Sequence, residues 1–299
     1  MTSHPPMMRV FIGPKGVRAG WRLLAFLGIA AIPTYLLIGI QHRIIPASLQ
    51  GIPFIGAMIL GESLLLVAVF FASGLMARIE SRSFAEFGLP LRQAFGTRFW
   101  QGALWGFLAL TLLLLAIHAG GGFSFGGLAL HGSALAKYAA AWALFFLVVG
   151  CFEEFLMRGY ALFTLSTGIG FWRAALLVSV IFGAIHISNR GESWFGALSA
   201  AAISLFFCLT LRRTGSLWFA IGFHAMWDYS ESFIYSVPDS GFKSPGHLLA
   251  SSLHGPHWLT GGSVGPEGSW LAFILIAGLF VIFSRLCREV RFPLPSRES

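Results

Sequence analysis

Three short stretches of this 299-residue chain set ionisable side chains among almost wholly apolar neighbours. Residues 151–158 (CFEEFLMR) carry Glu153, Glu154 and Arg158, residues 182–186 (FGAIH) carry His186, and residues 224–228 (HAMWD) carry His224 and Asp228. A carboxylate and two imidazoles can polarise a water, stabilise an oxyanion and protonate a leaving amine, which peptide-bond hydrolysis requires. Glu153, His186, His224 and Asp228 can alternatively hold a divalent metal such as zinc, with a bound water as nucleophile. The sequence contains no HExxH, so the usual helix-borne zinc motif is missing, and serine chemistry is not expected.

Helical spacing arranges these groups. Glu154 and Arg158 are i,i+4 with the acid on the N-terminal side, the favourable order for an ion pair on one face. Glu153 is turned about 100° from its neighbour and points elsewhere. The same i,i+4 spacing puts His224 and Asp228 on one face, and Phe182 one turn from His186. An ionised group at mid-membrane costs about 2.5–3.5 kcal/mol on insertion scales, so such residues mark pathways or active sites and must be paired or hydrated.

The elements that must position them are read from composition. Only 11% of residues are charged, 56% are hydrophobic and mean hydropathy is +0.77. Soluble globular proteins carry about 25% charged residues. The chain is therefore expected to be an all-α, polytopic membrane protein of about eight transmembrane helices, near 19–40, 53–77, 99–118, 138–163, 172–189, 193–211, 214–235 and 269–286. The first segment is too long, and lacks the small-residue pattern, for a cleaved signal peptide, and is read as a retained helix.

With both termini placed in the cytoplasm, sixteen basic residues fall on or near the inner side, from Arg9, Lys15, Arg18 and Arg22 to Arg297. Only Arg43, Lys137, Arg190 and Lys243 fall outside. The net charge of +8 is thus read as topology and contact with anionic lipid, with no nucleic-acid partner. Three regions follow: 1–134 with helices 1–3 and an amphipathic inner loop at 78–98, a core at 135–235, and 236–299 with an outer loop, the last helix and a basic tail. Measured from the inner helix ends, Glu153, His186 and His224 lie at about 15, 21 and 15 Å, near enough for all three to meet. Access to them is expected through a hydrated cavity open to the cytoplasm.

The ordered set Glu153-Glu154-x-x-x-Arg158, Phe182-x-x-x-His186 and His224-x-x-x-Asp228 resembles the three signature motifs of the CPBP intramembrane proteases. That family includes the type II CAAX prenyl endopeptidases and the bacterial abortive-infection proteins. The resemblance covers about 135–235. It implies an endopeptidase of the cell membrane acting on a membrane-presented substrate, of prenylated CAAX or leader-peptide type. It further implies that Glu153 activates water, that His186 and His224 assist, that Glu154 and Arg158 support the site, and that Phe182 contacts substrate. Asp228 occupies the oxyanion-side position, where the motif often has Asn. An ionised Asp cannot donate to an oxyanion, so it must be protonated, orient His224 or bind metal.

Two other classes share these residues: a catalytically silent scaffold or immunity protein of the same family, and a proton-coupled transporter. Against transport, the polar groups form one central set with no duplicated broken-helix pattern. Outside the motifs, Glu62 is read as more structural than functional, and Asn189 as a helix-end cap or substrate contact. His247, His254, His257 and Glu267 are read as solvated loop residues before metal ligands. Cys151, Cys208 and Cys287 have no CxxC spacing and are expected to be buried free thiols.

Overall fold

The computed structural model describes residues 8–13, 16–44, 46 and 48–293. Lys15 and Arg297, and the side chains of Arg9 and Arg43, lie outside the described residues. Among the described residues eight helices carry the fold: α1 (Ala19–Ile44), α2 (Gly51–Ile79), α3 (Thr97–Ala119), α4 (Gly132–Leu156), α5 (Phe171–His186), α6 (Trp194–Thr214), α7 (Trp218–Tyr229) and α8 (Trp270–Leu286). The protein is an all-α polytopic membrane protein. Five helical segments, in α1, α2, α3, α4 with its continuation to Ile169, and α6, are long and apolar enough to cross a bilayer. The helices α5 and α8 are shorter apolar helices. At 16 residues, α5 rises about 24 Å, less than a hydrocarbon core.

Two helices depart from α geometry beside the motifs. After α4 the chain passes through a π segment, Met157–Ala161, before resuming as Leu162–Ile169. Gly159 within it is non-helical (φ −76°, ψ −120°), and a Cβ there would lie 2.7 Å from the Phe155 ring. A second π segment, Ser230–Ile234, follows α7 directly. Such insertions widen a helix by one residue and recur at functional sites.

Close approach of backbones sets the position of α7. Cβ atoms at Gly102 and Gly106 of α3 would lie 1.9 and 2.2 Å from the carbonyl oxygens of Phe219 and Phe223, and one at Gly222 would lie 2.1 Å from that of Phe99. Glycine alone lets α3 and α7 pack this tightly, as in small-residue helix contacts in lipid. Likewise Gly183 of α5 meets the Ala197 carbonyl of α6, where a Cβ would be 2.3 Å away.

The two ends of the bundle differ. At one end the 78–98 connection forms short 3-10 turns at Phe84–Phe87 and Leu91–Gln93. Phe87 and Leu89 are buried in the bundle, Phe87 against Tyr160 and Phe163, while Leu91 and Phe95 stay exposed. Twelve arginines lie at or beyond the helix ends on this side, at positions 18, 22, 78, 82, 92, 98, 173, 212, 213, 285, 288 and 291. At the opposite end, residues 236–268 fold over the bundle. There Phe123–Ser124 pairs antiparallel with Ser252–Leu253, Trp142 Nε1 donates to the Pro245 carbonyl (3.0 Å), and Gly241 packs on the Arg190 carbonyl. This end has Lys137, Arg190 and Lys243 as its described basic residues.

Gly106→Val is expected to lose about 1–3 kcal/mol through the clash with the Phe223 carbonyl. Gly28→Ala, with open space around it on α1, should stay within about 0.5 kcal/mol of the parent. Unfolding of the detergent-solubilised proteins measures both.

Candidate active site

Glu154 and Arg158 form the floor of the site. Both are 0% exposed, and Arg158 Nη1 donates to Glu154 Oε1 at 3.1 Å. A buried ion pair survives only when further contacts offset lost hydration. Here the guanidinium carbon lies 4.6 Å from the centre of the Phe182 ring and 5.7 Å from that of Phe207, favourable cation–π positions. The same Glu154 oxygen accepts from His224 Nδ1 at 2.9 Å, so one carboxylate joins α4 to α7.

The second nitrogen of His224, Nε2, lies 3.3 Å from Asp228 Oδ2 and 3.7 Å from Glu153 Oε2. Both ring nitrogens therefore face carboxylates, an arrangement that an imidazolium satisfies completely. Glu153, turned away from Glu154 as the helical spacing requires, retains 27% side-chain exposure where its neighbour has none. On α5, His186 Nδ1 bonds the Phe182 carbonyl at 2.8 Å, leaving Nε2 for other partners. The Phe182 ring is wedged between Arg158 and the His186 ring, 4.4 Å away centre to centre.

Glu153, His186, His224 and Asp228 line one cavity of about 590 Å³. The sequence-predicted convergence is thus present. Glu154 and Arg158 are sealed beneath it, and Phe182, only 4% exposed, lines the cavity between Arg158 and His186. Glu62 also lines the cavity, and Asn189 stands at its rim while its backbone turns the chain after α5. The histidines at 247, 254 and 257 are not among the lining residues.

Glu153, His186, His224 and Asp228 do not form a tight ligand group, although a neutral His224 that donates through Nδ1 keeps its Nε2 lone pair toward Asp228 and Glu153. The tight ligand group found among the described residues is a different one, Glu231, Asp239 and Glu267. Sequence reasoning passed over Glu231 and Asp239, which lack any motif spacing, and took Glu267 with the loop histidines. Glu231 follows Asp228 by three residues on the same helix, which was the available signal. In the loop, burial and then the Asp228 charge hold Asp239 well above the ordinary carboxylate range, and the same two causes raise Glu267. Burial likewise raises Glu192.

The cavity extends away from the arginine-rich end. Its rim includes Asn189, Arg190 and Lys243, residues from connections that the charge count sets outside. Five of the twelve acidic residues line the cavity, Glu62, Glu153, Asp228, Asp239 and Glu267.

Fold and site define a polytopic membrane protein with a carboxylate–imidazole cluster inside its helical bundle. Residues 135–230 match the family model described as type II CAAX prenyl endopeptidase Rce1-like, which supports assignment to the CPBP/CAAX protease family and, at family level, an intramembrane protease. Comparison with curated proteins and with solved structures returns no match.

Arg158→Met is expected to destabilise the fold by about 3–5 kcal/mol, because it strands Glu154 as a buried charge. Pairing it with Glu154→Gln should recover part of that loss. Unfolding of the two single variants and the double variant supplies the cycle.

Proposed function

We propose that the chain hydrolyses a peptide bond of a membrane-presented substrate, with Glu153 as the base that activates water. The observation that carries this reading is the contrast between neighbours: Glu154 is sealed and spent on Arg158 and His224, while Glu153 is open to the cavity and within 3.7 Å of His224. Glu153 takes a proton as water attacks the carbonyl carbon. The resulting oxyanion is met by the Nε2–H of a doubly protonated His186, while His224, held between Glu154 and Asp228, orders the site. The C–N bond then breaks as the proton passes from Glu153 to the leaving amine. Every step uses side chains of this chain alone.

In this reading Asp228 is a positioning residue: at 3.3 Å it accepts from His224 Nε2 and holds the ring. In this role Asp228 leaves the oxyanion to His186. Glu154, Arg158 and Phe182 position the rings without touching substrate. A dense acidic lining favours peptide segments carrying basic residues near the cleaved bond. A transport pathway has less support, since the polar groups gather at one site and the arginine-rich end is closed by the buried 78–98 turns.

Glu153→Gln, His186→Ala and His224→Ala are each expected to cut cleavage of a membrane-presented peptide by about 10²-fold or more. His254→Ala, exposed and outside the cavity, should leave the rate unchanged. Equal activity in all four would end the assignment; comparing new peptide termini in membranes with and without Glu153→Gln would identify substrates.

The charge distribution further supports a cavity that opens on the non-cytoplasmic face, with the arginine-rich end inside. In a variant whose native cysteines are replaced, Lys243→Cys should react with a membrane-impermeant maleimide added outside intact cells, and Arg98→Cys only after lysis. The reverse pattern would restore cytoplasmic access and invert the bundle.

A further inference from the structure

The end of α7 and the 236–268 segment bring three carboxylates together. One oxygen from each of Glu231, Asp239 and Glu267 lies within 4.8 Å of the others. Glu231 is 0% exposed, and neither of its oxygens has a hydrogen-bond partner. A carboxyl group left in that state costs several kcal/mol whether ionised or neutral, because even the neutral acid has an O–H and a C=O to satisfy. Among the described residues, no arginine or lysine forms a salt bridge with any of the three.

The other two acids are held in place by donors. Asp239 Oδ2 accepts from Ser232 Oγ at 3.2 Å, while Glu267 accepts from Trp227 Nε1 at 3.1 Å and from Ser240 Oγ at 2.9 Å. Two fixed carboxylates and one unsatisfied carboxylate, aimed at a common point, lack only a positive charge. Donors that are all oxygen select a hard cation, and with neither His nor Cys in the group zinc is disfavoured. Carboxylates gathered from a helix end and a loop suit calcium, which takes six to eight oxygens at about 2.3–2.6 Å in flexible geometry, better than magnesium, which demands near-ideal octahedral geometry at about 2.0–2.1 Å and keeps several waters.

We propose that Glu231, Asp239 and Glu267 bind a calcium ion that fastens the 236–268 segment to the π turn after α7, forming one wall of the cavity beside Asp228. Its role is to close the loop over the bundle and to offset the acids that face Asp228 and His224. The ion would bind whether or not the cavity hydrolyses peptides, so failure of one reading leaves the other standing.

Terbium(III), a luminescent calcium substitute, tests this directly on the full-length protein in detergent after chelator treatment. Trp227, bonded to Glu267, stands beside the site as an energy donor. The expected result is saturable tryptophan-sensitised terbium emission, displaced by calcium at lower concentration than by magnesium. Affinity should fall at least tenfold in Glu231→Gln and in Asp239→Asn, and persist in Glu153→Gln. Calcium should raise the Tm of the parent protein and leave that of Glu231→Gln unmoved; a Tm for that variant near the chelated parent's shows that it is folded. If Glu231→Gln does not fold, Asp239→Asn carries the same comparison. The proposal is overturned by the absence of saturable emission, by emission that survives both loop-cluster variants, or by emission lost in Glu153→Gln alone. Magnesium displacing terbium as readily as calcium would overturn the choice of ion.

Discussion

A single fully buried carboxylate oxygen organises the site. Glu154 Oε1 accepts from both Arg158 and His224, and its side chain has no exposed surface. In such surroundings an unpaired charge is so costly that the three groups have essentially one acceptable arrangement. That arrangement locks α4 to α7, aims His224 Nε2 at the cavity, and leaves Glu153 as the carboxylate that remains reactive. The flanking Phe182 and Phe207 rings complete the enclosure and extend it to α5 and α6.

The bundle around this anchor is shaped to tolerate polarity at depth. Glycines at 102, 106 and 222 let α3 and α7 meet backbone to backbone, so that α7 is set by steric contact and cannot drift. The short α5 ends at His186, and irregular backbone follows it at the cavity rim, where water can satisfy it. Both helices bearing the acidic motifs relax into π turns just beyond them, and the second of these carries Glu231 into the loop cluster. Five acids gather in the cavity, while the arginines gather at the far end of the bundle.

Much of this was legible in the residues. The order of the helices follows the apolar runs, though only five segments among the described residues reach spanning length, and the Glu154–Arg158 pair and the opposite heading of Glu153 follow from i,i+4 geometry, because they depend on local helix period alone. The Gly102-x-x-x-Gly106 spacing was also present as a signal for close helix packing and went unused. The 78–98 segment is amphipathic in pattern, yet pattern cannot distinguish a lipid surface from the end of a bundle as the partner of Phe87 and Leu89. The loop histidines attracted attention by residue type, whereas the acids that converge there come from positions 231, 239 and 267, which no spacing rule connects.

What the sequence determined by itself was the solvent: a chain this apolar must lie in lipid, and its few charges must cluster, since each would otherwise be prohibitively costly there. Tertiary structure decided which charges meet and from which side they are reached. Depth along each helix was measurable from its rise, but the direction in which a cavity opens depends on which loops fold over the bundle and which helix ends splay. Those are outcomes of packing between segments far apart in the chain, and no local periodicity encodes them.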